Sequence, residues 1–69
     1  MFKFTGTYLL SNSPSPRNQD WAVVENSSFT GDSLAYSWQL NGERHLLFKC
    51  ENGAFVAVPL SKRNQVKVA

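Results

Sequence analysis

One cysteine, one histidine, three prolines and four glycines are spread through 69 residues, and no apolar stretch approaches the roughly 20 residues a membrane-spanning helix requires. Each shortage removes a class of protein. Cys50 has no second cysteine to pair with, which argues against a disulfide-stapled secreted scaffold and for a reducing compartment, the cytoplasm. One Cys and one His fall short of the three or four ligands of a zinc site, so no metal and no cofactor are expected. Gly6, Gly31, Gly42 and Gly53 stand singly, so no glycine-rich loop cradles a phosphate. The opening "MFKFTGTYLLSNSPSP" has a single lysine and an apolar run broken by Thr and Gly, too weak for a secretory signal, and the sequon at Asn26 is read as accidental.

Length and charge set the remaining bounds. A chain this short forms one domain, residues 1–69, and buries only about 60% of the surface its unfolded form exposes. Seven Lys and Arg against five Asp and Glu leave a net charge of +2 and a pI near 9.0. That balance permits an anionic partner without requiring one.

The apolar residues recur with period two. Phe2, Phe4, Tyr8 and Leu10 share one face of a first strand, with Gly6 as a bulge or bend. "SNSPSPRNQD" collects turn residues and two prolines and reads as a loop. Residues 16–26 fit either a strand, favoured by Val23 and Val24, or a short helix capped at Ser15 and Pro16. "SSFTGD" reads as a second turn.

From Ser33 onward the alternation is clear: Leu34, Tyr36, Trp38 and Leu40 alternate with Ser33, Ala35, Ser37 and Gln39. Two turns are open to the next strand. A two-residue Asn41-Gly42 turn pairs Leu40 with Glu43 and sets Trp38 beside His45. A three-residue loop pairs Trp38 with Arg44, Tyr36 with Leu46 and Leu34 with Phe48, making a single apolar face, and is the register expected. At the second turn, Glu51-Asn52-Gly53, Phe48 then opposes Val56, Leu46 opposes Val58 and Cys50 opposes Ala54. The result is a three-strand meander over 34–60, a 3₁₀ turn near 61–64 and a short closing strand in "QVKV".

This layout resembles the SH3-like or Sm-like small barrels, and "GAFVAVPLSKRNQVKV" is similar to the strand, 3₁₀ turn and strand that close them. The resemblance implies a mainly β, antiparallel barrel of five to six strands. It implies no ligand: the aromatic signature of proline-rich peptide binding is not recognisable, and the fold hosts many functions.

Catalysis is not expected. Cys50 and His45 lie five positions apart on one strand and point to opposite faces, so no thiolate–imidazole dyad forms. Glu43 and Glu51 flank a strand about 26 Å long. Asp20, Glu25 and Asp32 sit near turns. The chain therefore reads as a soluble, non-catalytic binding or regulatory module.

Two surfaces are candidates. The outward side of the meander carries Leu47, Phe55 and Ala57 with His45 and Lys49, an apolar group where a solvated sheet face is normally polar. Either the segment from Ser11 to Asp32 covers it, or it meets a protein partner or a second copy of the chain, the favoured function. The alternative is nucleic-acid binding through the basic residues Arg44, Lys62, Arg63 and Lys67.

Overall fold

The computed structural model describes residues 1–13 and 20–69, with the backbone but not the side chain of Tyr36. The protein is mainly β and antiparallel. Its strands are β1 (Phe2–Ser11), β2 (Ala22–Leu40), β3 (Glu43–Cys50), β4 (Phe55–Pro59) and β5 (Lys67–Val68), with a 3₁₀ turn over Leu60–Gln65 between the last two. β1 pairs with β2, β2 with β3, β3 with β4 and β4 with β1, and β5 adds to the start of β1.

β2 makes this circuit possible. A straight strand of 19 residues would measure roughly 60 Å, yet the longest dimension of the molecule is 29 Å. β2 must bend, and its first half pairs with β1 while its second half pairs with β3. Gly31 is the pivot, with Phe2 as its partner on one side and Cys50 on the other. The expected turn at "SSFTGD" is therefore corrected to continuous strand, because pairing on both sides outweighs the local turn preference of Gly31 and Asp32. The strand expected within 16–26 begins at Ala22; residues 16–19 of that expectation lie outside the described residues.

Irregular positions decide which side chains turn inward. Between Gly6↔Ser27 and Tyr8↔Val24 the register slips, leaving Glu25 and Asn26 opposite Thr7 alone, with Asn26 at φ 53° and Gly6 at φ 150°. This bulge puts both Phe29 and Val24 on the same inner face. Phe4, Tyr8, Phe29, Phe48, Val56 and Val58 form the inner core there, with Phe2, Leu10, Leu46 and Cys50 packed against it. Tyr8 stacks edge-to-face on Phe29 at 5.1 Å between centroids.

The β3–β4 register is the expected one: Leu46 opposes Val58, Phe48 opposes Val56 and Lys49 opposes Phe55. The β2–β3 register is not. Leu40 pairs with Glu43 and Trp38 with His45, so the turn is the two-residue Asn41-Gly42, both residues left-handed at φ 53° and 75°. Asn-Gly is the preferred pair for that type I′ geometry. In the second turn Gly53 alone is left-handed, and Asn52 instead uses its Oδ1 to accept the Ala54 N–H at 2.9 Å. The same dipeptide thus makes two turns of different length, and the first inverts the expected face of β2. Leu34, Trp38 and Leu40 join Trp21, Leu47 and Ala57 in a second cluster on the outer side of the sheet.

Candidate functional site

The second cluster settles what covers the outward face. Leu47 is 1% exposed and Ala57 0%, and both pack with Leu40, Trp21 and the half-buried Leu9, Leu34 and Trp38, while His45, in register with Trp38, is 4% exposed. Of the two alternatives for this face, cover by the segment from Ser11 to Asp32 holds through Trp21, and the Asn41-Gly42 register adds Leu34, Trp38 and Leu40 to that cover. The expectation of Leu47, Ala57 and His45 as exposed anchors of a partner contact is corrected accordingly. Phe55 remains half-buried, and the exposed Lys49 lays its ammonium 5.7 Å from the centre of the Phe55 ring. His45 donates from Nδ1 to the Glu43 carbonyl oxygen at 2.8 Å, which fixes its tautomer and ring orientation.

Cys50 and His45 point to opposite faces, Cys50 toward the inner core and His45 toward the outer cluster. Burial pushes the Cys50 thiol above its ordinary value. Among the described residues no group of three or more His, Cys, Asp or Glu comes together, and no helix is long and apolar enough to cross a membrane.

The basic candidates divide into two sets. Arg44 stands in register with Gln39 at the β2–β3 hairpin, and its Nη1 donates to Ser37 Oγ at 2.9 Å, tying it to β2. Lys62 and Arg63 occupy the last turn of the 3₁₀ segment, whose final residue Gln65 holds its Oε1 4.0 Å from where a Cβ on Gly6 of β1 would lie. Two residues later Lys67 is paired directly with Lys3. Lys3 escaped the sequence reading because 64 positions separate it from Lys67; only the closing strand brings them together. A signal was available, since the resemblance implies a last strand that returns to the first.

Lys3 and Lys67 are both exposed, and like charges directly opposite on paired strands repel. Among the described residues the ion pair found is Met1 ammonium to Asp32 at 3.8 Å, which leaves both lysines without a carboxylate partner. The carboxylate of this corner, Asp32, is in register with Lys49 as well. On its other side Lys3 pairs with Thr30.

Thr30 also borders a cleft of about 360 Å³. Its floor is made by buried Tyr8, Phe29 and Val56 with half-buried Cys50, and its mouth by exposed Ser28, Thr30, Glu51 and Asn52. The Tyr8 hydroxyl is turned to the wall, donating within reach of Ser27 Oγ at 3.2 Å and the Ser28 carbonyl at 3.3 Å. Sequence periodicity identifies Tyr8, Cys50 and Val56 of the floor as core, whereas Phe29 falls in the expected turn "SSFTGD", which the structure makes strand; the cleft itself has no local sequence signature.

No family model matches the chain, and neither the curated proteins nor the solved structures contain a match to it.

Proposed function

We propose that this chain is a non-catalytic binding module of the SH3-like small-barrel kind, and that its partner is single-stranded nucleic acid held by Lys3, Lys62, Arg63 and Lys67. The closed circuit of pairings, with a 3₁₀ turn leading into a closing strand on β1, supports the barrel reading. The observation that carries the partner is the Lys3–Lys67 pair: two exposed lysines in register on neighbouring strands, whose mutual repulsion a phosphate would relieve, with Lys62 and Arg63 four to five residues before Lys67 in the chain. A single strand is favoured over a duplex because the cleft beside Thr30 is open to an unstacked base. The unpaired Cys50 accords with a reducing, cytoplasmic setting.

A second reading keeps a protein partner, or a second copy of the chain, with Phe55 retained and three new anchors beside it. Leu9, Leu34, Trp38 and Phe55 are half-buried at the margin of the outer cluster and retain apolar surface a partner would cover.

The test is fluorescence anisotropy with a labelled twelve-residue oligo-deoxycytidine at 50 mM salt, using the wild type, the Lys3→Ala/Lys67→Ala double variant and Lys49→Ala. The expected result is binding that the double variant weakens at least tenfold and Lys49→Ala leaves within twofold. No binding by the wild type, together with a concentration-dependent dimer in sedimentation, would transfer the function to the second reading.

A further inference from the structure

We propose that the cleft between Phe29 and the Cys50–Ala54 turn receives one unstacked, amino-bearing nucleobase of the strand whose phosphates lie on Lys3 and Lys67. The inference rests on the strand-binding reading above and extends it to base recognition. Thr30 joins the two features, since it borders the cleft and is the cross-strand partner of Lys3, which in turn partners Lys67. Paired Cα atoms lie roughly 5 Å apart, so Thr30 at the mouth of the cleft is one strand step, about 5 Å, from Lys3 and two steps, about 10 Å, from Lys67.

The size of the cleft selects a small occupant. At about 360 Å³ it lies at the low end of ligand pockets, which run roughly 300 to 1,000 Å³. It has room for one ring system. The floor is apolar and fixed: Tyr8 and Phe29 brace each other edge-to-face at 5.1 Å and are 5% and 8% exposed, so a base touches the margins of these rings rather than stacking on a ring face.

The mouth discriminates among bases. Glu51 is exposed and free of any ion pair among the described residues, and its carboxylate only accepts hydrogen bonds. It repels phosphate but pairs with the exocyclic amino group of cytosine, adenine or guanine. Thymine and uracil turn a carbonyl oxygen toward the same position and are disfavoured. Asn52 has its oxygen committed to the Ala54 N–H, leaving its amino group to donate to a base carbonyl, and Ser28 and Thr30 add hydroxyls. An apolar peptide side chain would use the floor and leave all four polar groups unmet.

The test compares three twelve-residue probes of equal charge by anisotropy at one salt concentration: oligo-deoxycytidine, oligo-deoxythymidine and a fully abasic strand. The iodoacetamide alkylation rate of Cys50 is measured with and without each probe at saturation. The abasic strand should bind at least about fivefold more weakly than oligo-deoxycytidine, the loss that about 1 kcal/mol of base contact gives. Oligo-deoxycytidine should slow Cys50 alkylation severalfold and the abasic strand should not. Glu51→Gln should bring oligo-deoxythymidine and oligo-deoxycytidine to within about twofold of each other. If all three probes bind alike and Cys50 reacts at its free rate, phosphate binding stands and the cleft assignment is overturned. If oligo-deoxycytidine is preferred but Cys50 is not protected, the base sits elsewhere and the assignment is again overturned. If no probe binds, both readings fall.

Discussion

A Cβ atom built on Gly31 would lie 2.5 Å from the carbonyl oxygen of Lys49, closer than real side chains approach backbone. β2 crosses from one pairing partner to the other at this contact, and nothing larger than hydrogen fits between the strands. Gly31→Ala must push two backbones apart, at a cost of about 1 to 3 kcal/mol by the usual measure of overpacking. The expected outcome is a lowered urea midpoint with an unchanged slope. An unshifted midpoint would contradict the close crossing.

Leu47 separates the two β2–β3 registers. Buried under Leu40 and the tryptophans, it should cost about 2 to 5 kcal/mol when changed to Ala. Its exposed neighbour Lys49 changed to Ala should stay within about 0.5 kcal/mol. Equilibrium urea unfolding measures both. An equally small effect at Leu47 would restore the outward-facing register.

The difference between these registers marks where the sequence stops being legible. Phe2, Phe4, Tyr8 and Leu10 alternate cleanly, and β1 follows. "ENGAF" yields the β3–β4 register because Gly53 left-handed with Asn52 bonded to Ala54 is the ordinary three-residue solution. "NGE" offers the same Asn-Gly pair, and there the choice is made by burial: with Leu40 opposite Glu43, Leu40, Trp38 and Leu34 pack on Leu47 and Ala57 rather than crowding the inner core. That preference depends on Trp21 reaching the same face from a distant part of the chain. Local pattern carries no trace of it. The cationic pair has the same character, since Lys67 was visible as a charge near a turn, whereas Lys3 acquires its meaning only from β5 pairing.

Cys50 links the inner core to alkaline pH. Burial raises its thiol above the ordinary value, so the folded state disfavours the thiolate relative to the unfolded chain. Stability from this group is complete below the unfolded value and is lost as pH rises through the folded one. Urea midpoints should therefore fall on the alkaline side, and Cys50→Ser should flatten that decline. Iodoacetamide should react faster with the urea-unfolded chain than with the native one at the same pH. Equal rates would contradict the half-buried placement.

Strand binding by the cationic run is tested most directly by the salt dependence of oligo-deoxycytidine affinity. If Lys3, Lys62, Arg63 and Lys67 each neutralise one phosphate, a single-strand slope of about −0.7 per contact gives roughly −2.8 in log affinity per log salt, a loss of about 50-fold between 50 and 200 mM. Lys3→Ala/Lys67→Ala should halve that slope to about −1.4. A slope near zero, or one the double variant leaves unchanged, would contradict the account.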